Sequence, residues 1–572
     1  MQKITLSLSA ALLMLAAATP SQAEFSSTDG FSLSGSYLAG RSAGKERDNA
    51  IAADYLSKAL LADPDNPVLI EKLFLLEVSA GNITDAEELA IKVLGVNSQQ
   101  RMARIVLGLR DFRNRHYTQA RKNFFEAAYT PIGELTSALL SAWSFAGEGN
   151  LGAALKELDK LDSNDSFVNF KAYHAGLIAD YLNNAIRAEA SYKKAYEQAS
   201  TSLRIVQSYG NFLERHNRRP EAIKIYQAFL AAGEKNSLVE AALKNAEAGN
   251  MPEAFVASPS AGASEALFSL ASAMTDDQSI DVALLYTQLA FTLKGDKPVL
   301  DTLLGDIYVG TKQYQYAIDA YDRTPATSPL RVNADTEIAV NLQRLEHTKE
   351  AQAKLIDIIT RDPTNYDVLM TLGNVYRSNE EFSAAAETYT KALALVPQPG
   401  KDQWRAFYYR GIANEQLKIW DKAEADFRKA LSLSPDEPMV LNYLGYAMIE
   451  RKLNLNEALG MVKKAVELKP NDGYIVDSLG WAYFQLGDYQ EAAEQIERAV
   501  DLNPADPIIG EHLGDAYWRV GRTLEAKFQW QHAKDNGPEP DDLKRIEGKL
   551  QNGLPDEPVT KPAANTTTKS SG

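Results

Sequence analysis

Residues 480–513 read GWAYFQLGDYQEAAEQIERAVDLNPADPIIGEHL, and at Gly514 the pattern begins again. Gly480 leads to Tyr483, Ala492, Ile496, Ala499 and Pro504; Gly514, 34 positions on, leads to Tyr517, Ala526, Trp530, Ala533 and Pro538. The same offsets join Gly373 to Tyr376, Ala385, Tyr389, Ala392 and Pro397, Gly305 to Tyr308, Ala317, Tyr321 and Pro329, and Gly411 to Ala423, Phe427, Ala430 and Pro435. Upstream, Gly40, Gly108, Ala142, Gly176 and Gly210 lead to Ala52, Ala120, Ala154, Ala188 and Ala222, the last four leads standing 34 apart. Ala86 marks a degenerate unit between Gly40 and Gly108, and Ala271 with Ala283 opens a second stretch 34 before Gly305.

A 34-residue period holds two helices of roughly 12 to 14 residues and two short turns. Apolar residues recur at i, i+3, i+4 and i+7 in both halves of each unit, which predicts an amphipathic helical hairpin. The leading small residue lets the two helices approach closely, and the later alanine accepts the neighbour's bulk. Turns such as Asp63-Pro64-Asp65-Asn66-Pro67 and Asn503-Pro504-Ala505-Asp506-Pro507 combine a helix stop with a cap for the next helix. One hairpin cannot bury its own apolar face, so the units must stack.

This pattern resembles the tetratricopeptide repeat family. The resemblance covers nearly the whole chain after residue 32 and implies an all-α fold, an α-solenoid of about fourteen stacked hairpins in two arrays with a concave binding groove. The stretch from Leu441 to Asp515 also resembles the C-terminal part of large exported proteobacterial members of the family, tied to the cell envelope. The expected layout is a signal peptide over 1–23, a lead over 24–32, six units over 33–236, and a single helix plus linker over 237–263. Eight units over 264–540, a capping helix over 541–552 and a disordered tail over 553–572 complete it. Irregularity is expected at the unit led by Ala142, which lacks its proline, at Lys72 to Ser98, and at the longer turn Pro397-Gln398-Pro399-Gly400.

At the N-terminus, Lys3 precedes an apolar run from Ile4 to Ala18, Pro20 breaks it, and Ser21-Gln22-Ala23 places small residues where a signal peptidase inspects them. Cleavage between Ala23 and Glu24 is expected. The run is shorter than the roughly twenty apolar residues that span a bilayer. Glu24 in place of cysteine closes the lipoprotein route, so a periplasmic protein without a transmembrane segment after cleavage is expected, with peripheral outer-membrane association left open. The complete absence of cysteine suits an oxidising compartment.

Composition excludes much chemistry. Among 572 residues, 60 basic against 76 acidic side chains give a net charge of −16, the wrong sign for nucleic acid. Without cysteine there is no disulfide framework, thiolate metal site or Cys nucleophile. The six histidines have no zinc-site spacing, and no phosphate loop, nucleophile elbow or dinucleotide fingerprint appears. Ser191-Tyr192-Lys193-Lys194 falls where a repeat helix presents a packing aromatic and solvated lysines, and Asp63 with Asp65 reads as a turn. No catalytic residue, metal or cofactor is expected, and the chain is read as a non-enzyme.

What remains is a binding surface. The first helix of each hairpin lines the inner face of such a stack, so positions −6, −3, +1 and +4 from the leading residue share one stripe. In the last four units that stripe contributes Arg405, Tyr408, Asn442, Tyr446, Tyr474, Asp477, Trp481, Phe484, Glu511, Asp515 and Trp518, with Arg519 beside it. Aromatic and arginine side chains dominate interface energetics, so a peptide or protein groove is expected; wedging between hairpins as core is the alternative for any one residue. The family resemblance implies a scaffold for envelope proteins that supports outer-membrane integrity. An assembly factor or chaperone for a secretion, pilus or polysaccharide-export machine, and an accessory regulator of peptidoglycan enzymes, are the competing expectations.

Overall fold

The computed structural model describes residues 32–555, apart from Glu234 and the side chain of Ser163. Among them lie thirty α-helices and no strand. Six hairpins come first: α1 (Leu33–Lys45) with α2 (Asn49–Ala62), α3 (Pro67–Ala80) with α4 (Ile83–Val96), α5 (Arg101–Arg113) with α6 (Tyr117–Glu126), α7 (Pro131–Gly147) with α8 (Leu151–Asp159), α9 (Val168–Tyr181) with α10 (Ala185–Gln198), and α11 (Leu203–Arg215) with α12 (Arg219–Ala231). An unpaired α13 (Ser237–Glu247) follows. Four further hairpins are α14 (Pro259–Ser272) with α15 (Ile280–Phe291), α16 (Lys297–Gly310) with α17 (Tyr314–Asp322), α18 (Arg331–Arg344) with α19 (Thr348–Arg361), and α20 (Tyr366–Ser378) with α21 (Phe382–Ala394). The last four are α22 (Trp404–Gln416) with α23 (Trp420–Leu433), α24 (Pro438–Glu450) with α25 (Leu455–Leu468), α26 (Gly473–Leu486) with α27 (Tyr489–Leu502), and α28 (Pro507–Arg519) with α29 (Thr523–Asp535); α30 (Pro540–Asn552) closes the series. Fourteen hairpins are present among the described residues, the number the spacing predicts.

The leading glycines act more specifically than close approach alone. A Cβ built on Gly411 would lie 2.7 Å from Phe427 Cε1, and one on Gly176 2.7 Å from Tyr192 Cδ1. The second helix thus lays a ring, 16 positions after the glycine, flat on the first helix's backbone. The alanines Ala188 and Ala423 between them are fully buried.

A second periodicity is conformational. Arg47, Gly81, Arg115, Gly149, Asn183 and Asn217 all have positive φ, and each is 34 residues from the next. Each occupies the turn inside its hairpin, where the first helix ends in a left-handed residue. The series resumes at Lys312, Glu346 and Glu380, steps by 38 to Lys418 and reaches Lys452 after another 34. The step of 38 is the four-residue insertion at Pro397-Gln398-Pro399-Gly400, and the irregularity expected after Ala142 is a short α8 followed by 3-10 turns at Lys160–Ser163 and Asp165–Phe167.

The described residues form two compact units that divide between Ala334 and Asp335. The expected break at 237–263 is therefore not the boundary. α13 packs on α11 and α12, and the following segment is held by Asn211 Nδ2 donating to Glu253 O at 2.8 Å. The next helix begins at Pro259, not Ser264, with Ser258 Oγ accepting from the Ala261 amide at 3.1 Å. The hairpin α14–α15 then turns back onto the first array, and with α16–α17 it makes two of the eight hairpins assigned to the second array that belong to the first unit. At the far end, Gly553 and Leu554, expected in the disordered tail, pack instead: Gly553 is buried against Trp518 and Leu554 joins the apolar cluster of the second unit. Ala23, Glu24 and the rest of the tail lie outside the described residues.

Candidate functional site

The stripe rule carries different consequences in the two units. In the first, positions −6, −3 and +1 give Thr136 and Trp143 on α7, Tyr173 on α9 and Arg204 on α11, and every one of them grips the hairpin α14–α15. Thr136 Oγ1 and the Tyr286 hydroxyl are 2.9 Å apart, and Trp143 lies directly on the backbone of Gly262. The Tyr173 hydroxyl donates to Glu265 at 2.9 Å, beside the two-pronged Arg204–Glu265 ion pair. On α3, the carbonyl of Ser79 accepts from Gln288 Nε2 at 3.0 Å. The inner face of the first array is thus filled by the protein's own chain.

In the second unit the stripe divides into core, open surface and a covered end. Tyr408, expected in the groove, is core: it is 5% exposed and wedged among Trp404, Tyr409, Phe427 and Tyr443, with ring centroids 5.4–6.1 Å apart. Burial pushes its hydroxyl up to about 12. Asp477 is also buried, both its carboxylate oxygens lying 2.9–3.0 Å from His512 Nδ1. These two residues are corrections to the expected groove surface, because a stripe position next to a bulky neighbouring hairpin closes over.

Arg405 and Tyr474 are exposed. The Arg405 guanidinium lies 4.8 Å from the centre of the Trp404 ring, and the Asp506 carboxylate beside Tyr474 raises the pKa of its hydroxyl. Asn442, Tyr446, Trp481 and Phe484 are half-buried. Trp481 forms the centre of a flat stack, with Phe484 at 4.7 Å on one side and His512 at 4.0 Å on the other, and its Nε1 donates to Glu450 Oε1 at 2.6 Å. Such a plane of rings with one carboxylate at its edge suits a cationic or amphipathic side chain.

Trp518 and Arg519 are further corrections. Trp518 packs on Trp530 at 5.4 Å and is covered by Gly553 just beyond α30, while Arg519 turns over the Tyr489 ring at 5.9 Å. α30 itself lies against α28 and α29, placing Arg545 and Lys549 on Glu511 and Asp515. Glu511 is fully buried, which opposes its charging, yet these cations outweigh burial and hold its carboxyl below the usual range.

Sequence reasoning missed Glu450, His512 and Arg377. Arg377 stands at the +4 position of α20, 4.8 Å from the centre of the Tyr409 ring, and its buried Nε makes no hydrogen bond. The stripe rule extended one unit upstream identifies it. Glu450 falls between stripe positions, at +5 from Gly445, and only the reach of Trp481 brings it into the site.

Comparison with known proteins adds the family. A model described as "Tetratricopeptide repeat" matches residues 336–399 and 370–438, and a model described as "TPR repeat" matches 480–521, all in the second unit. The human protein O-mannosyl-transferase TMTC1 is 25% identical over 177 residues, which are 31% of this chain and 20% of that protein. The TPR repeat-containing protein PA4667 of Pseudomonas aeruginosa is 26% identical over 142 residues, 24% of this chain and 23% of the relative. The chain therefore spans about a fifth of the length of these curated relatives. Among solved structures, a tetratricopeptide repeat protein from Parabacteroides merdae aligns with a TM-score of 0.37 at 18% identity, covering 43% of this chain and 96% of that one.

Proposed function

Because the chain is a tetratricopeptide repeat protein, built to bind protein or peptide partners, we propose that it is a non-enzymatic periplasmic scaffold acting through the inner face of its second unit. The observation that carries this reading is the contrast between the two stripes: the first is filled by α14–α15, whereas the second leaves Arg377, Arg405, Tyr446, Tyr474, Trp481 and Phe484 partly or wholly accessible. Rings and guanidinium groups gathered on one concave face make the central anchors of an interface. No helix among the described residues is long and apolar enough to cross a membrane.

Export is supported by Lys3, the apolar run from Ile4 to Ala18 and the Ser21-Gln22-Ala23 tripeptide. In the periplasm, the scaffold supports outer-membrane integrity by holding envelope proteins, a role carried by the family resemblance of residues 441–515.

Photo-crosslinking in living cells, from a probe at Tyr474 and another at Trp481, tests the groove, with Lys349 on α19 as the outer-surface control. A discrete partner from the first two positions alone is expected; identical products from all three sink the reading. Mass spectrometry of the mature protein is expected to start at Glu24, and a deletion strain as resistant to detergent as its parent counts against the envelope role.

A further inference from the structure

α30 stacks on the last hairpin where the first helix of a further repeat would lie, Arg545 and Lys549 each standing 34 residues after an acidic partner on α28. Ile546 is its one buried residue, with Leu550 and Leu554 packed beside it on the apolar cluster of the second unit. It also docks by charge. Arg545 Nε and Nη2 donate to Glu511 Oε1 and Oε2, each at 2.6 Å, and Lys549 Nζ bridges Glu511 Oε1 and Asp515 Oδ2, again at 2.6 Å. Arg545 and Lys549 are four residues apart and thus on one helical face.

The acidic surface that receives them is larger than α30 uses. Glu450 is exposed and forms no ion pair among the described residues, its Oε1 accepting only from Trp481. The Phe484–Trp481–His512 stack lies beside it, and one hairpin upstream the buried Oδ1 of Asn442 has no hydrogen-bond partner. Glu450 accepts from Trp481, which stacks on His512, whose Nδ1 meets the Asp477 carboxylate, and Glu511 directly precedes His512 on α28. Carboxylates from α24, α26 and α28 meet there.

Resting on the groove reading above, we propose that the second unit recognises a cationic helical segment of its partner, carrying Arg or Lys four residues apart, and that α30 is a resident self-ligand which this segment displaces. The partner helix offers Glu511 and Asp515 the same ion pairs, so exchange leaves neither carboxylate buried and unpaired. It also adds a cation against Glu450 at the edge of the Trp481 stack, a carboxylate that α30 leaves without an ion pair. Tethered beside its site, α30 has a high effective concentration and lowers the apparent affinity for any competitor.

The test uses the full chain and a fluorescent peptide repeating residues 540–552, with a control peptide in which the counterparts of Arg545 and Lys549 are glutamine. R545A/K549A protein is expected to bind the first peptide at least about tenfold more tightly than the parent, and to ignore the control. Binding should weaken severalfold from 0.05 to about 0.5 M salt. Glu450→Gln, at an exposed position that should not disturb folding, is expected to leave binding of this peptide unchanged in the R545A/K549A background, because α30 does not use Glu450, and to reduce capture of the partner from Trp481. A variant with parental circular dichroism and melting that binds no more peptide than the parent overturns the proposal, as does a concentration-dependent dimer exchanging α30 between copies. If crosslinking from Tyr474 and Trp481 captures a partner through a segment without paired cations, this inference fails while the groove reading stands. If the peptide binds as expected but no partner crosslinks, the groove reading fails and the acidic face remains a self-binding site.

Discussion

Arg204 and Glu265 form a two-pronged ion pair, Nε to Oε1 at 2.9 Å and Nη2 to Oε2 at 2.5 Å, joining helices 61 residues apart in the chain. The Tyr173 hydroxyl donates to the same carboxylate, and the guanidinium lies 4.5 Å from the centre of the Phe255 ring. With both side chains at most 11% exposed, this contact holds α14 on the inner face of the first array. Removing one partner from such a pair leaves an uncompensated buried charge and costs about 3 to 5 kcal/mol. Glu265→Ala is therefore expected to destabilise the first unit by that order, and Arg204→Leu with Glu265→Leu to recover much of it. Hydrogen exchange of the first unit measures both; equal protection in Glu265→Ala and the parent would refute the argument.

How far the sequence was legible depends on what each position meets. Gly176 and Gly411 were readable because a ring rests on each, so any side chain collides and the 34-residue period stays visible. The left-handed turn residue was hidden, since Lys418, Glu380 and Asn217 look like ordinary polar turn residues. Glu265 shows a deeper limit. It stands at the −6 position of its own unit, counted from Ala271, and so reads as one more groove residue. That the stripe of one unit faces the stripe of another is a long-range pairing to which a periodic pattern is blind. Tyr408 and Tyr474 occupy comparable stripe positions with opposite fates for the same reason: exposure is decided by the adjoining hairpin.

The left-handed turns give a second prediction. A residue with a Cβ pays roughly 1 to 2 kcal/mol for this conformation, which glycine adopts freely. Lys418 has φ of 63° and Gly487 of 83° at equivalent turns. Lys418→Gly is expected to stabilise the second unit by up to about 1 kcal/mol, the gain reduced by glycine's freedom in the unfolded chain. Gly487→Ala should destabilise it by about 1 kcal/mol. Urea denaturation resolves the pair, and shifts of the same sign in both variants would contradict the turn assignment.

Two buried histidines make the units respond oppositely to acid. Burial lowers His174 to about 4 despite the nearby Glu265 carboxylate, while Trp143 Nε1 donates to its Nδ1 at 3.2 Å and keeps that nitrogen an acceptor. Its unfolded pKa is near 6.5, so the unfolded chain binds more protons between these values. Stability of the first unit is present above about 6.5 and falls progressively to about pH 4, by roughly 3 kcal/mol in all. Burial also opposes charging of His512, but Asp477 in contact, with Asp515 and Glu511 nearby, outweighs it and raises the pKa. That contribution is complete below about 6.5 and is lost as pH rises through the folded value. NMR titration of the two rings is the direct measurement. His174→Gln should flatten the acid limb of the first unit, and a His174 titrating near 6.5 would remove its basis.

The contrast between Tyr408 and Tyr474 separates folding from binding. Tyr408 fills space among four rings, so Tyr408→Ala should cost about 3 kcal/mol or more through the cavity it leaves. Tyr474 is 59% exposed, and Tyr474→Ala should change stability by no more than about 0.5 kcal/mol. If the inner face of the second unit binds the partner, Tyr474→Ala nevertheless reduces capture from a probe at Trp481, because an exposed ring about two turns before Trp481 on α26 contributes contact area only when the groove is filled. Thermal unfolding and crosslinking yield, measured on the same preparations, distinguish the two effects. A Tyr474→Ala protein that keeps both its melting temperature and full crosslinking would move the binding surface away from the α26 end of the groove, toward Arg377 and Arg405.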